Sequence, residues 1–250
     1  MIKISAIVMI FNEEEQIRAC LETIKWVDEI VICDSFSTDR TVEICREYTD
    51  KIYQRKFDNF GNQKKWTLDK PSNEWVLFVE ADERFTPGLR DEILERLNCN
   101  EGYDGYWIPF KNFIFGKQMK GKFWDFKKIR LYRKQKGDWE GRKVHGKFIL
   151  HGQAGELKNL VLHYPYRNLK VFWGKFNLMT NLEAQELLRN NRRLYLVDTL
   201  KAILWVPLTF FNLYVVWKDY KSGGVGLVFS LLSSPYNLLV NIKYWLCRLR

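Results

Sequence analysis

The sequence predicts an α/β protein: a parallel sheet flanked by helices, extended by antiparallel strands and followed by apolar helices. Three observations predict it. Short apolar runs alternate with helix-period segments through the first third of the chain, which is the pattern of βαβ crossovers. Residues 76–79 form an apolar run of the length and character of a buried strand. That run opens directly into Glu80-Ala81-Asp82-Glu83, and two earlier runs end in polar turns in the same way. Three such turns at the carboxyl ends of parallel strands define a pocket where open α/β sheets take their ligands.

The elements follow in order. Residues 4–11 read as a buried strand. Asn12 is placed to cap a helix whose apolar face is Ile17, Cys20, Leu21 and Ile24, at i, i+3, i+4 and i+7. Residues 29–34 carry Ile30, Val31 and Ile32 as a second strand, closed by a polar turn from Asp34 to Asp39. A helix through Val42, Ile44 and Cys45, a short strand over 51–54 and a helix over 60–68 lead to the strand at Trp75. After Pro87 a short helix over 89–97 gives way to strand-like pieces at 103–110, 128–133 and 144–150, rich in Lys, Arg and Trp. Residues 168–189 are predicted helical, with Phe172, Phe176 and Met179 on one face. From Tyr195 the chain reads as apolar helix broken by Pro207, Gly223-Gly224 and Pro235, with a domain boundary near 190.

Charge divides the chain further. The net charge of +10 is made of −8 over 1–110, +10 over 111–150, +1 over 151–188 and +7 over 189–250. A basic centre suits phosphates and a basic apolar tail suits an anionic lipid surface; both also read as ordinary solvated charge. With 46% apolar residues the chain is not disordered. Five cysteines without CxxC spacing read as reduced thiols rather than a zinc site. The opening apolar run ends at once in Asn12-Glu13-Glu14-Glu15, unlike a signal peptide. In the tail, sixteen uncharged residues lie between Lys201 and Lys218 and 21 between Lys221 and Lys243. Interruptions by Pro, Gly and Asn, with Trp205, Trp217, Tyr236, Tyr244 and Trp245 as interfacial aromatics, favour a helix lying in the membrane plane. A helical cap on the catalytic domain and a spanning hairpin are the alternatives.

Asn12 and Asp34 suit the base edge and ribose hydroxyls of a nucleotide, and Asp82 suits a divalent metal on a diphosphate. Here the residues carry a family resemblance. Val8-Met9-Ile10-Phe11-Asn12-Glu13-Glu14, the run from Asp34 to Thr41, Gln63-Lys64-Lys65 and Glu80-Ala81-Asp82-Glu83 resemble the successive motifs of family-two glycosyltransferases with the GT-A fold. Arg130-Leu131-Tyr132-Arg133 and Val144-His145 extend the resemblance to the branch of bacterial lipopolysaccharide inner-core β-glucosyltransferases. It covers residues 4–150 and implies a GT-A domain over 1–189, with a nucleotide-sugar half (1–110) and an acceptor half (111–189), before a membrane-associating extension over 190–250.

The resemblance implies inverting transfer of a sugar, glucose above all, from a UDP-sugar to a lipid-linked saccharide such as a lipopolysaccharide core heptose. The work would be done at the cytoplasmic face of a bacterial inner membrane. Asn12, Glu13, Asp34 and Asp39 would match the nucleoside pocket, and Lys64, Arg130 and Arg133 would lie by the diphosphate. Asp82, with Glu80, would hold Mn²⁺ or Mg²⁺, and His145 would be a further metal ligand or contact the diphosphate. Glu80 stands where the pattern has Asp, and its extra methylene moves the carboxylate by about 1.5 Å. Gly146 stands where relatives often carry Glu. Asp125, one of three acids in 111–150, is the candidate base on the acceptor hydroxyl. His151 and His163 have no motif that assigns them a role. Two other classes remain open from sequence. A non-catalytic nucleotide- or saccharide-binding module would tolerate loss of Asp125. A single-strand nucleic-acid binder, ranked last, would bind with steep salt dependence and leave the three acidic turns unexplained.

Overall fold

The computed structural model describes residues 2–99, 101–140, 147–190 and 194–249. Along the chain run β1 (Ile4–Ile10), α1 (Ile17–Ile24), β2 (Glu29–Asp34), α2 (Thr41–Cys45), β3 (Ile52–Gln54), α3 (Phe60–Thr67) and β4 (Trp75–Glu80). Next come β5 (Glu83–Phe85), α4 (Pro87–Cys99), β6 (Gly105–Ile114), β7 (Lys117–Gln118), β8 (Lys127–Arg133), β9 (Gly137–Trp139), β10 (Phe148–Leu150), β11 (Ala154–Glu156) and β12 (Val161–Tyr166). Four helices close the chain: α5 (Leu169–Arg189), α6 (Leu196–Phe211), α7 (Gly224–Ser233) and α8 (Tyr236–Arg248).

The chain forms two compact units, residues 1–111 with 126–163, and residues 112–125 with 164–250. The units do not divide at 190. Residues 112–125 and α5 share a unit with the tail helices, because α7 and α8 cover the apolar face of α5 together with Ile114 and Tyr166 from the ends of β6 and β12.

In the first unit β3, β2, β1 and β4 are parallel, with Val8 opposite both Ile32 and Val79. Their carboxyl ends, Ile10, Asp34 and Glu80, therefore fall on one edge. β8 then pairs antiparallel with β4 and β6 antiparallel with β8, as the antiparallel addition requires. Both faces of β1 are buried: Ala6, Val8 and Ile10 pack against α1 and α4, and Ile7 packs with Phe78, Tyr132 and Trp139. Burial on both faces is why these strands read as continuous apolar runs. Asn12 does not cap α1. The cap position is Gln16, and Asn12 takes φ 53° and turns its side chain to the neighbouring loop. Asn tolerates this left-handed conformation better than other non-Gly residues.

In the second unit Ile114, Met119, Trp124, Phe172, Phe176 and Phe229 form one core and Ala184, Leu194, Val240 and Tyr244 another. Asn168 caps α5 by accepting the Val171 N–H at 2.9 Å. Pro207 does not end α6. The helix runs through it and continues as a π turn over Asn212–Val216. Residues Val197–Val216 and Gly224–Arg248 are each long and apolar enough to cross a membrane by length and composition. Leu204, Trp205, Leu208 and Phe211 on α6 are exposed.

Candidate active site

The first two polar turns are laced together. The Asn12 amide oxygen accepts the Thr38 N–H at 2.8 Å, and its own N–H donates to Ser37 Oγ at 2.9 Å. The Glu13 N–H donates to Thr41 Oγ1 and the Glu14 N–H to Asp39 Oδ2. Asp39 also takes the Thr41 N–H and hydroxyl. Asp34 is fully buried at the end of β2, where it accepts the Ser37 N–H and hydroxyl and the Gln54 amide. Asn12, Glu13, Asp34 and Asp39 are thus brought to one sheet edge, where Asp34 and Asp39 shape the turns with their own carboxylates.

The third turn holds the charge. Glu80 Oε2 accepts from Arg130 at 3.0 Å and Glu80 Oε1 from Lys64 Nζ at 3.4 Å. Glu83 is buried, pairs with the same Arg130 nitrogen, and takes the Glu80 N–H at 3.1 Å. Burial pushes Glu80 up, but Arg130 and Lys64 outweigh it and hold that carboxyl well below its ordinary value. Burial raises Glu83, against the pull of Arg130. Lys64 lies over the Trp139 ring at 4.4 Å, and Arg130 over Phe78 at 5.2 Å.

His163 completes this corner. The antiparallel pairing of β5 with β12 sets His163 opposite Glu83, and His163 Nε2 lies 3.6 Å from Asp82 Oδ1. Ligand atoms of Glu80, Asp82 and His163 all fall within 4.8 Å of one another. Burial lowers the imidazole to about 4 despite Asp82 beside it, so it is neutral at pH 7 with a lone pair to give. Two carboxylates and a neutral imidazole suit Mn²⁺ or a similar divalent ion. Both Glu80 oxygens also meet cations.

Several expectations change here. Arg133 does not lie at the acidic corner with Glu80. It pairs with Trp75 across the ladder and binds Glu74, at the opposite edge of the sheet from Glu80. The antiparallel register forces this: Arg133 lies three residue steps beyond Arg130, about 10 Å of strand. Arg130 lies at the same end of the sheet as the acidic turn, 2% exposed and paired with both Glu80 and Glu83. His145 lies outside the described residues. Asp125 is exposed, follows the 3₁₀ turn Lys122–Trp124 and belongs to the second unit. His163 was missed because β12 contains Pro165 and no motif, so only the long-range pairing with β5 reveals it.

A mixed sheet with polar turns along the carboxyl ends of its parallel strands, the last of them acidic, is the GT-A fold of nucleotide-diphospho-sugar transferases. Within it the chain belongs to glycosyl transferase family 2, whose family model matches residues 5–151. It is similar to the lipopolysaccharide core biosynthesis glycosyltransferase LpsC of Rhizobium meliloti, 25% identical over 97% of this chain and 92% of that one. It is also similar to the uncharacterized glycosyltransferase RC0292 of Rickettsia conorii, 25% identical over 92% and 85%. The crystal structure of S. aureus TarS 1–349 in complex with UDP-GlcNAc shares the fold, with TM-score 0.50 and 15% identity over 99% of this chain and 92% of that chain.

Proposed function

We propose that this glycosyltransferase moves a hexosyl group, glucose above all, from a UDP-sugar to a lipid-linked saccharide of the lipopolysaccharide inner-core type, with inversion. The observation that carries the reading is the meeting of Glu80, Asp82 and His163 at the carboxyl edge of a family 2 sheet. Similarity to LpsC along nearly the whole chain supports the acceptor class. The nucleoside would sit against the laced turns of Asn12, Glu13, Asp34 and Asp39.

Asp82 and His163, with Glu80 beside them, would hold a divalent cation, which when bound offsets the charge growing on the diphosphate. Lys64, only part-buried beside Glu80, would add positive charge to the leaving group. Arg130 would keep Glu80 oriented. Asp125 would accept the proton of the acceptor hydroxyl as its oxygen attacks the anomeric carbon, opposite the departing UDP. Exposed Leu204, Trp205, Leu208 and Phe211, with the basic charge of the tail, support in-plane attachment to an anionic membrane, at the cytoplasmic face where nucleotide-sugars are found.

The test is a hydrolysis and transfer screen of nucleotide-sugars with and without Mn²⁺ or Mg²⁺, using lipopolysaccharide truncated to its heptoses as acceptor. UDP-glucose-dependent, metal-dependent transfer with inverted product is the expected result. Turnover unaffected by excess chelator would remove the metal from the mechanism, and a different donor would replace UDP-glucose.

A further inference from the structure

The turn that carries Asp125 is held by the C-terminal segment at several points, while Asn112 donates its side-chain amide to the Trp124 carbonyl at 3.0 Å. The Lys120 N–H donates to Ser222 Oγ at 2.9 Å and the Lys122 N–H to the Trp217 carbonyl at 2.6 Å. Phe123 stacks on Trp217 at 5.0 Å, and Trp124 sets its edge against Phe229 at 4.9 Å. At the centre is Asp219, fully buried, which accepts the Trp124 indole N–H at 3.0 Å and the Ser230 hydroxyl at 3.3 Å. Among the described residues no Lys or Arg pairs with it. The approach is close on both sides. A Cβ on Gly121 would come within 2.2 Å of the Asp219 carboxylate, and one on Gly226 within 1.9 Å of its carbonyl. Lys218, just before it, takes the left-handed conformation at φ 64°, uncommon for a long side chain.

A buried carboxylate without a cation is expensive, and an apolar side chain would fill the same space at less cost. What the carboxylate supplies is a directional acceptor for the indole of Trp124, the residue next to Asp125. Burial raises the Asp219 carboxyl, and the two hydrogen bonds oppose that rise.

We propose that Asp219 is a positioning residue for glycosyl transfer: through Trp124 it fixes the turn that presents Asp125, so the C-terminal segment is part of the acceptor machinery as well as a membrane attachment. This rests on the reading of Asp125 as the base. It predicts that loss of Asp219 lowers acceptor-dependent turnover and spares donor binding.

The experiment uses the full chain on anionic vesicles, with UDP-glucose and heptose-terminated lipopolysaccharide, and compares Asp219→Ala, Asp219→Asn, Trp124→Phe, Asp125→Asn and the Asp219→Ala/Asp125→Asn pair. Asp219→Ala and Trp124→Phe are expected to lower transfer kcat by about 10- to 100-fold, the scale of a small misplacement, with UDP-glucose affinity by calorimetry unchanged. Asp219→Asn, which keeps an acceptor oxygen for the indole, is expected to restore most of it. Asp219→Ala is expected to add little on the Asp125→Asn background, since both act at one group. Faster hydrogen exchange over residues 119–126 in Asp219→Ala is expected as well, and it needs no acceptor. Wild-type turnover in Asp219→Ala, unchanged exchange of the turn, or losses that simply multiply in the pair would overturn the proposal. Full activity of Asp125→Asn alone would overturn the base reading, while hydrogen exchange still decides whether Asp219 holds the turn.

Discussion

Single residues at the carboxyl edge do separable work. Asp82 and His163 approach within 3.6 Å, and the imidazole is neutral at pH 7. Asp82→Asn and His163→Ala are each expected to weaken Mn²⁺ binding by about 10- to 100-fold, measured by metal titration, while melting temperature stays near wild type. Unaltered Mn²⁺ affinity in both variants would take the metal away from this corner. Arg130 is different, because it sits between Glu80 and Glu83 with almost no water contact. Removing one partner of a buried ionic cluster leaves uncompensated charge. Arg130→Met is therefore expected to cost about 3–5 kcal/mol in denaturant unfolding. Replacing Arg130 and Glu83 together by apolar residues should cost much less than the sum of the two single changes.

At the level of elements, Glu29 ties the amino ends of the parallel strands. Its carboxylate receives Ser5 from β1, Lys51 before β3, and both the N–H and hydroxyl of Ser72 before β4. Burial pushes Glu29 up, but these hydrogen bonds outweigh it and hold the carboxyl at about 2, against an ordinary 4.5. A carboxyl depressed on folding stabilises the protein fully above its ordinary pKa. That stability is lost as pH falls from about 4.5 through about 2. The contribution is on the order of 3 kcal/mol at neutral pH. Glu29→Gln should flatten the acid limb of the stability curve in that window, read by urea unfolding at a series of pH values. An acid limb identical to wild type would show that Glu29 is not the group that titrates. The tail is an element of the same kind. Phe172 and Phe176 of α5 share a core with Phe229 of α7, and Lys243 of α8 reaches Thr180 at 2.6 Å. A chain ending at 189 is expected to expose these phenylalanines, bind hydrophobic dye and lose the cooperative melt of its second unit.

For the molecule as a whole, the tail joins two properties that are usually separate. Its second unit holds a buried core, yet Leu204, Trp205, Leu208 and Phe211 remain in water. Contiguous exposed apolar surface flanked by Lys201, Lys218 and Lys221 suits the boundary between headgroups and acyl chains. Full-length protein is expected to bind vesicles containing anionic lipid, more weakly as salt rises, and to be released in part by carbonate. Replacing Leu204, Trp205 and Leu208 together by Ser should abolish vesicle flotation without loss of UDP-glucose binding. A tail that resists carbonate entirely and carries its C-terminus to the far side would instead be a spanning hairpin.

Much of the parallel half of the sheet was legible in the sequence. Four parallel strands, the helices between them and three polar turns at one edge follow from local period and strand length, which neighbouring residues alone determine. The acidic triplet and Lys64 were legible for the same reason, since each lies within or beside one element. Tertiary structure decided which charges meet. Arg130 and Arg133 look alike in sequence, but antiparallel register sends one to the acidic corner and the other to the far edge. His163 reaches Asp82 only because β12 pairs with β5, a strand almost eighty residues earlier. Asp219 reaches Trp124 across a still longer separation, within a compact unit that joins residues 112–125 to 164–250. Periodicity encodes which face of an element is apolar, but not which distant element will cover it. That choice is made by packing, where buried charge must find its partner.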